Sequence, residues 1–166
     1  MSEANNPTPP ILPILNEGDN APDFSLPADN GQTVTLSALK GEKVVLYFYP
    51  KDNTPGCTKQ AIGFSETLDA FKAQGATIIG MSPDSATKHD KFKTKHDLTI
   101  TLAADEEKTT LEAYGVWVEK SMYGKKYIGV ERSTFIIDQE GKIAKIWRKV
   151  KVSGHIETVL ETLKTL

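Results

Sequence analysis

A single α/β domain, a mixed sheet covered by helices, is the architecture that this sequence predicts. Two continuous β-branched and aromatic runs, "VVLYFY" at 44–49 and "ATIIGMS" at 76–82, fit strands buried on both faces. Helical apolar spacing follows each of them, and the chain closes with two strand-like segments, a tight turn and a last amphipathic segment. At 166 residues there is room for one domain with a real core and too little for two comfortable ones. Pattern alone does not give the strand order.

Residues 1–20 hold four of the nine prolines and read as an extended arm, with Ile11–Leu15 as a patch that could tack it to the body. The folded domain is expected over 21–166. "DFSLPADNGQTVTL" places two short apolar segments around Asp29-Asn30-Gly31, and Asn-Gly is a strong hairpin signal, so an N-terminal β-hairpin is expected. After the strand at 44–49 and the pair Pro55-Gly56, Ala61, Phe64, Leu68 and Phe71 recur at helical spacing, and Gly75 closes the segment. That reads as one amphipathic helix of about four turns. A second buried strand follows at 76–82. Residues 85–96 predict a helix with a strongly basic outside, Lys88, Lys91, Lys93 and Lys95, together with His89 and His96. "TITLAAD" is a short strand and "EEKTTLEAYG" a short helix ended by Gly115. "RSTFIID", "QEG" and "KIAKIW" spell two strands and a tight turn. Ile156, Val159, Leu160 and Leu163 give the final helix its stripe.

Composition excludes several classes of function. The net charge is −2, and Lys and Arg are scattered rather than gathered into a stripe, which argues against a nucleic-acid partner. No apolar run approaches the length of about 20 residues that crosses a bilayer, and the first residues lack a basic leader, so no membrane partner and a cytoplasmic location are the default expectations. One cysteine rules out an intrachain disulfide and a thiolate-clustered zinc site. His89 and His96, seven apart on one helix face, make a poor metal site without carboxylates in pattern, and no metal or other cofactor is expected.

The single cysteine, Cys57, has two readings. Free cysteine often serves as a small buried hydrophobe. Cys57, however, falls off the stripe of its helix and in or just before the first turn, where unpaired N–H groups and the positive end of the helix dipole favour an anion. The thiolate is the nucleophilic form of cysteine. Pro55 suits an early helical position, Gly56 lets the backbone approach a bound group, and the carboxyl end of a strand is where open α/β sheets place ligands.

"YFYPKDNTPGCTKQ" resembles the active-site segment of the peroxiredoxins, a Pro, three residues, Thr or Ser, two residues, Cys, here Pro50, Thr54 and Cys57. "GVWVEKSMYGKKYIGVERSTFIID" at 115–138 is similar to the matching stretch of the bacterioferritin-comigratory, or PrxQ, branch, and the resemblance extends from about Ala21 to the C-terminus. It implies a thioredoxin-like fold and reduction of hydroperoxides by a peroxidatic cysteine. Carried over residue by residue, it makes Cys57 the nucleophile, with Thr54, Pro50 and Arg132 its partners. Thr54 would fix the line of attack, Arg132 would stabilise negative charge, and Pro50 would wall the pocket without an unpaired donor. Gly56 and Gln60 are expected to complete the substrate cradle, with Trp117 at the peroxide entrance beside Met122 and Tyr123. Taken one at a time, Thr54 could be a turn residue, Arg132 an edge charge, Pro50 a strand stop, Gln60 a plain helical residue and Trp117 a core or rim aromatic.

The branch often carries a resolving cysteine five residues after the first, here Ile62, or in the following helix, here aligned with Lys93. With neither present, the resemblance implies a one-cysteine cycle closed by an external thiol: thioredoxin, glutaredoxin or glutathione. A monomer or weak homodimer is expected. Ile62 reads as an apolar residue on a polar helix face, beside Ser65, Glu66 and Asp69, and so as a candidate docking point. A monothiol transferase acting on glutathione mixed disulfides, and a non-catalytic interaction module, are the competing readings.

Overall fold

The structure is a computed structural model and describes residues 14–166; the stretch 1–13, including Ile11–Pro13 of the expected anchor, lies outside them. β1 (Ser25–Pro27) and β2 (Thr33–Thr35) pair antiparallel around the Asn-Gly turn, where Asn30 takes a left-handed φ of 60°. The run from Val44 becomes β3 (Lys43–Phe48). α1 (Pro55–Glu66) and α2 (Leu68–Ala73) follow, then β4 (Ala76–Ser82). α3 (Ala86–His96) begins at Ser85, whose hydroxyl accepts from the Lys88 N–H at 3.2 Å. β5 (Thr101–Ala104), α4 (Thr109–Ala113), β6 (Trp117–Met122), β7 (Lys125–Val130), β8 (Ser133–Ile137), β9 (Ile143–Trp147) and α5 (His155–Lys164) complete the chain.

Five of these strands form the central sheet in the order β5-β4-β3-β8-β9. β3, β4 and β5 are parallel, while β8 runs antiparallel to β3 and β9 antiparallel to β8. The expected mixed sheet is therefore present, with β3 at its centre. Alternation along β3 sorts the core into two layers, because successive side chains point to opposite faces. Val45 and Tyr47, with Tyr49 just beyond, join a layer formed with α1, α2, α3 and α5 that includes Cys57, Phe64, Phe71, Phe92 and Val159. Val44, Leu46 and Phe48 face the other layer, with Phe24, Leu111, Tyr114 and Phe135.

The long helix expected after Pro55 is broken at Thr67, which has φ −104° and ψ 9°. The Thr67 hydroxyl donates to the Gly63 carbonyl at 2.8 Å, and its N–H donates to the same oxygen at 3.2 Å. Back-bonding of this kind loosens a helix. A net backbone hydrogen bond is worth about 1 kcal/mol. Burying a phenylalanine is worth about 1.5–3 kcal/mol, and the new axis places Phe71 fully inside. Packing decides.

The hairpin β6–β7 is a feature that sequence periodicity does not reveal. It forms a separate two-stranded sheet whose turn, Tyr123-Gly124, has positive φ at both residues. The basic outer face of α3 also needs correction. His89 is fully buried, and Lys93 reaches the buried carboxylate of Asp29 at 2.6 Å. Ile62 is half-buried and packs against the first core layer rather than standing alone on a polar face, so the docking role expected for it loses its exposed apolar side chain. Toward the start of the chain, Gly18 N–H donates to Ile143 O at 2.7 Å and Ala21 N–H to Gly141 O at 2.9 Å, which ties residues 18–21 to the edge at β9. Leu15 packs on the second layer while Ile14 is exposed. Among the described residues, no helix is long and apolar enough to cross a membrane.

Candidate active site

β3 ends at Phe48, and the chain turns through 49–54 into α1 at the carboxyl edge of the parallel strands. Thr54 is the N-cap of α1, with extended φ and ψ of −90° and 152°, and Pro55 opens the helix. Cys57 thus lies in the first turn. Thr58 N–H bonds back to Thr54 O at 2.8 Å. The N–H groups of Gly56 and Cys57 have no partner among the described residues, as the first turn of a helix requires unless a side chain or ligand caps it.

Arg132 arrives from the opposite side, between β7 and β8. Its Nη2 donates to Cys57 Sγ at 3.3 Å, and its Nη1 donates to Gln60 Oε1 at 2.6 Å. One guanidinium therefore bridges two residues that stand three apart on α1, which the helical repeat places on one face. Lysine, with a single nitrogen, cannot hold both in this fork. Gln60 is buried, and its Nε2 has no partner among the described residues. Gly56 makes the approach possible. A Cβ there would lie 3.2 Å from Arg132 Nη2 and 3.8 Å from Val152 Cγ2.

Cys57, expected off the apolar stripe of its helix, lies on it: it stands four residues before Ala61 and seven before Phe64, shares their core layer, and is almost wholly covered at 1% exposure. Tyr47 lies beneath it in the first core layer, its ring stacked on Phe64 at 4.7 Å, and Gly80 leaves the space that ring occupies. Burial pushes the Tyr47 hydroxyl well above its ordinary value, and the neighbouring Cys57 and Asp52 add to the effect, so it stays a neutral phenol. The Thr54 hydroxyl donates to Lys51 O at 2.8 Å. Its proton is thereby used, and its lone pairs remain as acceptors. Pro50 is half-buried at the exit of β3.

Behind Arg132 lies His155, at the start of α5. Its Nε2 pairs with Thr134 Oγ1 at 2.8 Å, and its ring meets Trp147 edge to face at 5.5 Å. Burial, helped by the positive charge of Arg132 and opposed by Glu157, lowers the imidazole from 6.5 to about 4. The ring is therefore neutral in the folded protein at neutral pH. As pH falls from 6.5 toward 4, the unfolded chain takes up a proton that the folded chain refuses, so stability falls across that window and levels off below it. Urea denaturation at several pH values should show this slope, and His155→Gln should flatten it.

Of the residues expected at the site, Cys57, Arg132, Gln60 and Gly56 are in direct contact, with Thr54 and Pro50 on the adjoining loop. Trp117 is elsewhere in the packing. It is half-buried against the second core layer, with Lys108 Nζ 5.8 Å from its ring centre. Met122 and Tyr123 stand exposed at the tip of the β6–β7 hairpin. Ile62 lines a groove of about 330 Å³ between α1 and the start of α5, with Lys59, Val152 and Glu157 among its walls. Asp52 and His89, buried below the loop, were not singled out for the site by their sequence context.

Comparison with known proteins shows the family. The family model described as AhpC/TSA matches residues 17–146. Peroxiredoxin Bcp of Bacillus subtilis is 52% identical over 149 residues, which is 90% of this chain and 95% of that protein. A structure of the bacterioferritin comigratory protein of Xanthomonas campestris, concerned with its alkyl peroxide reduction activity, is 43% identical with a TM-score of 0.82, covering 86% of this chain and 90% of that one. A crystal structure of a PrxQ mutant of Xylella fastidiosa is 40% identical with a TM-score of 0.87, covering 91% and 96%.

Proposed function

The chain belongs to the AhpC/TSA family, among its Bcp/PrxQ peroxiredoxins, and we propose that Cys57 reduces hydroperoxides and is recycled by a thiol from outside the chain. The observation that carries this reading is the 3.3 Å contact between Arg132 Nη2 and Cys57 Sγ at the start of a helix. The thiolate attacks the terminal oxygen of the hydroperoxide. A sulfur–oxygen bond forms, the O–O bond breaks, and the departing alkoxide or hydroxide leaves with the electron pair and takes up a proton. Sulfur is oxidised to a sulfenic acid.

Charge moves from sulfur to the leaving oxygen during this step. Arg132 and the free N–H groups of Gly56 and Cys57 support stabilisation of that charge without reorganisation. Thr54, with its proton given to Lys51 O, is suited to accept the peroxide O–H and so aim the terminal oxygen at sulfur. Gln60 holds the guanidinium plane. Pro50 offers a wall without an N–H.

The chain has one cysteine, so the sulfenic acid cannot close a disulfide within it. An incoming thiol displaces water to give a mixed disulfide, and a second thiol frees Cys57 while the two external sulfurs join. At the two positions where the branch places a resolving thiol, Ile62 is packed against the core and Lys93 is paired with Asp29. Thioredoxin, glutaredoxin and glutathione are the candidate reductants. Mass spectrometry of the peroxide-treated protein, offered each one separately, should detect a mixed disulfide at Cys57 with the working reductant. Sulfenic acid that persists with all three would contradict external recycling by these thiols.

A further inference from the structure

Below the loop that carries Pro50 and Thr54 lies a second polar cluster, which the peroxide chemistry above leaves unused. His89 on α3 has no exposed surface, and Asp52 is 7% exposed. His89 Nδ1 stands 2.7 Å from Asp52 Oδ2, and His89 Nε2 stands 2.9 Å from the Ala103 carbonyl oxygen. A carbonyl only accepts, so Nε2 carries a proton and donates to Ala103 O, which turns Nδ1 toward the Asp52 carboxyl. The arrangement is a buried His–Asp pair. Tyr49 donates its hydroxyl to the other Asp52 oxygen at 2.6 Å, and the Asp52 N–H donates to Asp84 Oδ2 at 2.8 Å.

The place of this pair in the chain gives it meaning. Of residues 50–53, only Asp52 is buried; Pro50 is half-buried, and Lys51 and Asn53 are exposed. Asp52 precedes Thr54 by two residues and Cys57 by five. Through its side chain the loop is bolted to α3 and, by way of His89, to the backbone of β5. The backbone of Arg132 is held from the β8 side, where the Val150 N–H donates to its carbonyl at 2.9 Å, while its guanidinium is fixed on α1 by Gln60. The position of Thr54 relative to that guanidinium is thus set by the loop on one side and by the Gln60 bond on the other. A buried polar pair is a poor way to gain stability, since an apolar pair of similar volume often does as well or better. It is a good way to fix a loop in one position, because buried polar groups left without their partners are costly.

We propose that Asp52 and His89 are positioning residues for the peroxidase reaction. They act through the 49–54 loop to hold Thr54 and the first turn of α1 at the distance from Arg132 that peroxide attack requires. The inference rests on the peroxidase reading.

The test uses two reagents that ask different things of the same sulfur. Hydrogen peroxide needs the aligned site, whereas iodoacetamide needs only a reachable thiolate. Asp52→Asn and His89→Gln, each in the full chain, should slow the stopped-flow reaction with hydrogen peroxide by about tenfold or more while changing the iodoacetamide rate by about twofold or less. Tyr49→Phe, which removes one hydroxyl and leaves the Asp52–His89 bond, should slow the peroxide reaction by about threefold and carries the test if a larger change prevents folding. Peroxide rates equal to the parent protein's, or peroxide and iodoacetamide rates that fall in parallel, would overturn the proposal and leave the pair a structural clasp. A parent protein no faster with peroxide than free cysteine would instead remove the peroxidase reading itself, and the inference with it.

Discussion

Arg132→Met is expected to lower the second-order rate constant with hydrogen peroxide by about a hundredfold to a thousandfold, as loss of one preorganised charge-stabilising donor does elsewhere. Methionine keeps the unbranched stem but ends two heavy atoms sooner and carries no charge, so charge, direction and reach are lost together. In the folded protein the guanidinium donates at once to Cys57 Sγ at 3.3 Å and to Gln60 Oε1 at 2.6 Å. Methionine offers neither bond, and the buried Gln60 amide is left without its partner at a cost of about 1–3 kcal/mol in stability. Arg132→Lys keeps the charge but reaches one of the two acceptors, and should recover part of the rate. Stopped-flow measurement on samples with native circular dichroism separates these effects. A rate for Arg132→Met within about threefold of the parent would detach Arg132 from the reaction.

Thr54→Val carries the second large expectation, a loss of about a hundredfold in the same rate constant, with Thr54→Ser within a few-fold of the parent. Valine matches threonine in shape and lacks the hydroxyl. The Thr54 hydroxyl does not cap α1 and spends its proton on Lys51 O. What valine removes is therefore an acceptor for the peroxide proton and a bond that shapes the loop. Serine retains both. If Thr54→Val and Thr54→Ser react alike, the oxygen is not part of the alignment.

The parts of this fold that were legible in the sequence are those with a short-range cause. The run at 44–49 has to be strand, and being apolar without alternation it has to be covered on both faces, as β3 is. Asn30-Gly31 announced its turn, and Pro55 followed by the stripe Ala61-Phe64 announced α1. The break at Thr67 was hidden because it depends on a hydroxyl turning back on its own helix while Phe71 finds the core. The β6–β7 hairpin was hidden because its strands are largely exposed and carry lysine, glutamate and serine where a stripe would otherwise show.

The site divides the same way. Cys57 could be placed at a helix start from Pro55-Gly56 alone, and the Pro50-Thr54-Cys57 spacing supplied the rest by resemblance. Arg132, 75 residues further along, came with the resemblance and not from any local rule. Asp52 and His89 lie 37 residues apart, and neither periodicity nor composition joins them. His89 even follows a lysine, which made it read as part of a solvated face. Burial of a lone polar residue is decided by the partner it meets, and that partner is a tertiary fact.

The account depends on Cys57 cutting oxygen–oxygen bonds because a guanidinium meets its sulfur in the first turn of α1, where the Gly56 and Cys57 amides are unpaired. Stopped-flow mixing of the reduced protein with hydrogen peroxide at neutral pH, set against free cysteine under the same conditions, measures this directly. The expected result is a rate constant at least about a thousandfold above that of free cysteine, the scale on which preorganised charge and alignment act together. A rate constant equal to that of free cysteine, in a protein whose Cys57 still alkylates, would contradict it.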